Sequence, residues 1–202
     1  MALAGKLGAV YLQTDAAPTA FTNEATTANT ARTRYTITNT VKRYWSKGVA
    51  LVVKVGGNTV TTGYTLEYAG GVVVFDVAQA VGAVVTVSGS YVVVAQAGGF
   101  FDWSLEPTMD TQEKTTFQSN GWKEYKTTIK GFTVSAEAFW GDERFFNTLG
   151  TELIIVLYVG VAAITRYEGY AVVSSDGIST AVDELIQETV EFTGDGPICY
   201  RW

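Results

Sequence analysis

Between Val49 and Val94 the chain repeats one local pattern: short runs of valine and threonine cut by glycine, at Gly56-Gly57-Asn58, Gly70-Gly71 and Val81-Gly82-Ala83. β-Branched side chains suit a pleated, half-buried surface, and glycine supplies the positive φ that tight hairpin turns require. A chain written this way folds as strands joined by short turns. Tyr35 to Trp45 alternates in the same sense, with Tyr35, Ile37, Val41 and Trp45 on one face and Thr36, Thr38, Thr40 and Lys42 on the other. Val77 to Phe101 carries no charge, but Gln79, Ser88, Ser90, Gln96 and four glycines interrupt it. Strands and turns fit that composition better than a membrane-spanning helix, and no membrane insertion is expected.

Several function classes fall away on composition. The chain has no histidine, so His-dependent triads and His-ligated zinc sites are excluded. Its one cysteine, Cys199, cannot close an internal disulfide, which points to folding in a reducing compartment. Met1 to Val10 lacks the apolar stretch of a signal peptide, so the chain reads as unsecreted. No phosphate-binding or dinucleotide-binding glycine motif is present. Carboxylates lie near one another at Glu106 and Asp110 and at Asp183 and Glu184, but neighbouring acids on turns are ordinarily a solvated surface. The chain is read as a non-enzyme without cofactor or metal.

Charge divides the sequence into three zones: residues 1–48 are net +4, 49–101 net −1 and 102–202 net −9. Such asymmetry suits complementary surfaces, meeting either within one chain or between copies. The first zone opens with a strand-like run, Leu7 to Leu12, followed by a polar stretch from Gln13 to Thr33 that reads as a long loop or arm. The small cluster Lys42-Arg43-Tyr44-Trp45 reads as a strand end at a subunit contact. The second zone has its own valine-rich composition, so residues 49–94 are expected as a small β module inserted in a main β domain of 1–48 and 95–202.

In the third zone Trp122 to Ile129 and Phe132 to Trp140 both read as strand. The apolar phase moves from odd positions (Tyr125, Ile129) to even ones (Phe132, Val134, Ala136, Ala138, Trp140), which places a β-bulge at Lys130-Gly131. One short helix comes next, N-capped by Asp142, with Phe145, Phe146 and Leu149 on its apolar face and Gly150 ending it. Glu152 to Val159 and Arg166 to Ser174 are further strands. Leu185 to Thr193 alternates, with Ile186, Glu188, Val190 and Phe192 facing one way and Gln187, Thr189, Glu191 and Thr193 the other.

The stretch from Thr115 to Trp140, "TTFQSNGWKEYKTTIKGFTVSAEAFW", resembles the central signature of the tail tube (major tail) proteins of bacteriophages with long non-contractile tails. The residues that carry the resemblance are Gly121, Trp122, Lys123, Glu124, Tyr125 and Gly131. The order of the later elements is similar too: a short helix, an apolar strand, "YEGYAVVSS", a polar connection from Asp176 to Asp183, and a last strand ending in "VEFTGDGP". The resemblance covers roughly residues 1–48 and 100–202, and the segment 49–94 departs from it. It implies a mainly β chain, a β-sandwich or half-barrel with one flanking helix, that stacks as hexameric rings with hairpins joined into an inner β-barrel. It further implies a virion location after assembly in the host cytoplasm. Its partners would be further copies of itself, tail terminator, tape-measure and tail-tip proteins, and viral DNA passing through the lumen without specific binding. Gln187, Thr189, Glu191 and Thr193 are the candidate lumen-lining residues. Two other readings stand beside it: a capsid decoration or other tail protein, and a carbohydrate-binding sandwich with a platform among Trp45, Trp103, Trp122, Trp140 and Trp202. Trp45, Trp122 and Trp140 occupy strand or strand-end contexts that suit a core.

Overall fold

The computed structural model describes residues 8–141, 143–160 and 165–202. The fold is mainly β, with two curled sheets and one short helix. The chain opens with β1 (Ala9–Gln13) and then leaves to build a whole second sheet from β2 (Thr19–Ala28), β3 (Arg34–Ile37), β4 (Val52–Val55), β5 (Asn58–Val60), β6 (Tyr64–Glu67), β7 (Val72–Phe75) and β8 (Val85–Tyr91). It returns as β9 (Val94–Gln96), β10 (Phe100–Glu113) and β11 (Tyr125–Phe139). The helix α1 (Arg144–Asn147) comes next, then β12 (Glu152–Gly160), β13 (Thr165–Ser179), β14 (Gln187–Gly194) and β15 (Cys199–Arg201). The first sheet runs β10-β11-β14-β13-β12-β1-β9 with β15 beside β13, and the second runs β5-β4-β8-β2-β3-β7-β6.

The point of departure is narrow. Gln13 pairs with Val94, and the Thr14 amide donates to the Val93 carbonyl at 2.9 Å, so the chain leaves and re-enters the first sheet between two adjacent strands. The segment 49–94 supplies β4 to β8, and β2 and β3 complete the same sheet: β8 pairs with β2, and β7 with β3. Gly56 and Gly57, both at positive φ, make the two-residue turn between Val55 and Asn58.

Each sheet curls around its own apolar filling. Val10 and Leu12 on β1 pack in one cluster with Phe132 and Val134 on β11 and with Phe192 on β14, and Phe100, Trp103 and Leu105 on β10 close over them. Strands far apart in the sheet order can share one core only if the sheet bends into a half-barrel. The second sheet encloses Phe21, Tyr35, Trp45, Val53, Val73 and Val87. A third cluster joins the two: Tyr44 and Val92 meet Ile154, Val156 and Tyr170 on the outer surface of β12 and β13.

Several local expectations are corrected. The stretch expected as a long polar loop contains the ten-residue β2; only Phe21 among its residues is buried, so period-two apolarity is nearly absent there. The strand expected over Tyr35 to Trp45 stops at Ile37. There Asn39 caps a 3-10 turn at Thr40–Lys42 by accepting from the Val41 amide at 3.1 Å, which leaves Val41 exposed. The bulge lies earlier than Lys130-Gly131: Met109 pairs with Lys130 and Thr111 with Thr127, so the extra residue falls between Thr127 and Lys130, and Gly131 sits in regular register opposite Thr108. In α1 only Phe145 is buried, while Phe146 and Leu149 face solvent. Asp142 lies outside the described residues. Gly150, at φ +78°, has the left-handed conformation expected of it.

Candidate assembly hairpin and acidic sheet face

β10 and β11 form a hairpin longer than the sheet that carries it. Their lower halves pair as part of the barrel, Trp103 with Ala136 and Leu105 with Val134. Beyond Pro107 and Phe132 the two strands continue as a ribbon, exposed on both faces as far as Glu113 and Tyr125. An isolated two-stranded ribbon is marginal in water and gains its stability from what it packs on. Its tip is a compact turn: the Ser119 amide donates to Thr116 O at 3.0 Å and the Trp122 amide to Ser119 O at 2.9 Å, with Asn120 and Gly121 at φ 50° and 80°. Thr115 Oγ1 fastens the neck, accepting from the Glu124 amide at 3.1 Å.

The six residues of the signature therefore fall on one hairpin. Gly121 allows the turn, and Lys123 and Glu124 make exposed ion pairs with Glu113 (3.6 Å) and Lys114 (3.3 Å). Tyr125 opens β11 and is exposed, and Gly131 lies at the hairpin base. Trp122, which reads as a core aromatic in the sequence, is 77% exposed, and Phe117 on the same turn is fully exposed. Trp140 also departs from that reading and is half-exposed, whereas Trp45 is fully buried.

Lower on the same sheet the outer face of β14 is polar. Glu188, Val190 and Phe192 turn inward, so Gln187, Glu191 and Thr193, with the half-buried Thr189, line the opposite face. Register places Thr193 beside Thr133, Glu191 beside Ser135, Thr189 beside Glu137 and Gln187 beside Phe139. Asp102, Ser104 and Glu106 extend this face onto β10, opposite Glu137, Ser135 and Thr133. Asp102, Glu106, Glu137 and Glu191 are its carboxylates, and residues 102–106, 133–139 and 187–193 contain no lysine or arginine. The second sheet packs farther along the same sheet, over β12 and β13.

The two sheets are held together by charge as well as by apolar packing. Glu168 on β13, wholly buried, accepts from Arg166 Nε and from Arg201 Nε, each at 2.8 Å. Arg201 also reaches across to Glu67 on β6 at 2.6 Å, where Arg34 joins at 2.7 Å. Burial pushes the Glu67 carboxyl up, but the bonds from Arg34 and Arg201 outweigh it and hold the group below its ordinary range. Nearby, Lys47 bonds Glu152 and, at 2.7 Å, Asp195, and lies 4.2 Å from the Tyr170 ring centroid. The Tyr170 hydroxyl donates to the Trp45 carbonyl. Part of the charge asymmetry between the zones is therefore spent inside the chain. The Lys42-Arg43-Tyr44-Trp45 cluster, expected at a subunit contact, serves this internal joint through Tyr44 and Trp45 while Lys42 bonds Glu24. Sequence reasoning missed Glu168; the signal was a carboxylate flanked by aromatics in a run with buried periodicity.

Chemistry is sparse. Glu106, Asp110, Asp183 and Glu184 are all exposed. Among the described residues no group of three or more acidic or cysteine side chains is placed to hold a metal ion, and no helix is long and apolar enough to cross a membrane.

No protein-family model matches the chain, and no curated protein matches it. Solved structures with a similar course of chain include the tail of an empty gene transfer agent particle refined with six-fold symmetry, at TM-score 0.44 and 13% identity, covering 55% of this chain and 87% of that one. Another is from the virion of a native gene transfer agent particle, at TM-score 0.43 and 13% identity, covering 54% of this chain and 89% of that one. A likeness at this level carries no function, which rests instead on the surfaces described above.

Proposed function

We propose that the chain is a structural subunit of a phage tail tube, assembling as hexameric rings that stack into a hollow conduit for DNA. The observation that carries this reading is β10: fourteen residues long, at the end of its sheet, and, among the described residues, paired in the sheet along one side only. An unpaired edge of that length is a template for another chain unless a fold blunts it, and closing the sheet around a ring of copies removes the edge. Pro107 divides the edge without shortening it.

The polarity of the outer faces gives the ring an inside and an outside. The acidic face of β10, β11 and β14 turned to the channel would repel a phosphate backbone and let it slide, since nucleic acid binds proteins chiefly through basic groups. The second sheet, packed on β12 and β13, then projects from the tube's outer wall as a module. The signature residues on the β10–β11 hairpin are assembly residues in this reading, and Gln187, Thr189, Glu191 and Thr193 line the lumen. Further partners would be the proteins that cap, measure and tip such a tube.

Negative-stain microscopy of the purified chain, with sedimentation over a range of concentrations, tests the proposal. Rings or tubes with a central hole are expected. Monomers alone at every concentration and salt would overturn it.

A further inference from the structure

The first sheet is apolar at both of its ends. Along the projecting hairpin, from its base to its tip, Met109, Phe117, Trp122, Tyr125 and Ile129 stand 46%, 108%, 77%, 54% and 72% exposed. Fourteen residues along β11, on the order of 45 Å at strand spacing, the opposite end carries a second cluster. Phe101 and Phe139 are in ring contact at 4.8 Å between centroids. The Trp140 amide donates to Ile186 O, which brings those two side chains' strands together, and Leu185 and Ile178 complete the rim at 68% and 55% exposure. A bulge between Phe100 and Asp102 belongs to the same row, which crosses β10, β11, β14 and β13. Apolar groups gathered in this way on a folded chain mark contact surfaces.

Charge decides which surface meets which. The hairpin from Met109 to Lys130 carries Lys114, Lys123, Lys126 and Lys130 against three acids. Residues 176–188, beside the rim, carry Asp176, Asp183, Glu184 and Glu188 and no base, with Asp183 and Glu184 exposed. Tip against tip sets two hairpins of net +1 together, Lys114 and Lys123 being paired within each to Glu124 and Glu113, and rim against rim sets acids against acids. Tip against rim alone joins apolar to apolar and positive to negative, and it excludes the two self-pairings that would close as isolated dimers.

We infer that the hairpin tip of one copy docks on the rim formed by Phe101, Phe139, Trp140, Ile178, Leu185 and Ile186 of a second copy, head to tail. A contact between unlike surfaces, repeated in one direction, builds an open stack rather than a closed pair. This rests on the tube-subunit reading and adds to it the axial contact between rings, distinct from the lateral edge pairing of β10.

The test uses the full chain and charge reversal in pairs. Lys123→Glu with Lys126→Glu reverses the tip. Asp183→Asn with Glu184→Lys reverses the rim, asparagine being chosen because residue 183 has φ 72°. Microscopy at low salt should show rings that no longer stack for either pair alone, and stacked tubes again when all four changes are combined. The apolar variant Phe117→Ser with Trp122→Ser should also stop at rings, with an unchanged melting temperature because both side chains are solvent-exposed. Tubes of wild-type length from the apolar variant, or failure of the fourfold variant to recover stacking, would overturn the docking while leaving rings intact. A wild-type chain that forms no rings would instead overturn the tube reading, and this inference with it.

Discussion

Replacing Arg201 by methionine removes the cation that bridges the two sheets and keeps most of its apolar stem. The loss can be worked from its contacts. Arg201 donates to Glu168, which has no solvent exposure, and to Glu67, which is 20% exposed in its side chain. Removing one partner of a buried ion pair costs about 3–5 kcal/mol because the remaining charge is left under-compensated. Glu168 keeps Arg166 at 2.8 Å and Glu67 keeps Arg34 at 2.7 Å, so the loss falls just below that range, about 2–3 kcal/mol. For a chain of this size that is a fall in melting temperature of roughly 5–10 °C. Urea unfolding followed by tryptophan fluorescence reads the same quantity, because Trp45 lies in the second sheet's core. Arg34→Met is the control: the side chain is 38% exposed and its pair should contribute less than about 1 kcal/mol. Adding Glu168→Leu to Arg201→Met should deepen the loss, because the largely buried Arg166 guanidinium then loses its bond to Glu168. A change below about 0.5 kcal/mol for Arg201→Met, the range of ordinary surface substitutions, would show that the joint is not held this way.

Gly194→Ala should destabilise by about 1–3 kcal/mol, because a Cβ there would lie 2.3 Å from the Phe132 ring; thermal unfolding checks it, and Phe132→Leu in addition should relieve it. Glu67, held below its ordinary value of 4.5, contributes stability that is present above that value and lost as pH falls through the lowered one, so Glu67→Gln should flatten the acid limb of a stability–pH curve. Excising residues 15–92 and joining Thr14 to Val93 by Asn-Gly should leave a folded β chain, whereas excising 49–94 alone leaves β2 and β3 paired only with each other and should yield aggregate; circular dichroism and size-exclusion chromatography distinguish them. Glu191→Lys should leave assembled particles intact but slow DNA passage in low salt, with the defect easing as salt screens the charge, measured as ejection rate from particles built with the variant.

The sheet-rich architecture was legible because valine, threonine and glycine alternate at strand spacing, and the polar face of β14 was legible from alternation alone. What escaped had a physical cause in each instance. β2 is a central strand of the second sheet built mainly from threonine, alanine and asparagine, so pairing on both edges, not apolar periodicity, holds it in place. Trp122 reads as core by residue type and is exposed because it sits in the turn of a hairpin that outruns the sheet beneath it. The phase change that signals the bulge is present, but phase alone does not say which of several consecutive residues is left unpaired, and the chemistry of Gly131 draws the assignment to the wrong one. The joint through Glu168, Arg201 and Glu67 links residues 134 apart in sequence, a separation over which local pattern is silent.

The entry of the second sheet between β1 and β9 sets an order of events for folding. Gln13 and Val94 must meet for β1 and β9 to pair, and closing an unstructured loop of that length costs about 4 kcal/mol in chain entropy. A second sheet that folds first brings those two residues to adjacent positions before the first sheet exists, and the cost shrinks to that of a short turn. Synthesis from the amino terminus completes residues 15–92 before β10 to β15 emerge, so the inserted sheet is available as the nucleus on which β1 and β9 zip together. Substitutions in its core, Val73→Ala or Val87→Ala, should then slow folding of the whole chain, while substitutions in β14 mainly speed unfolding.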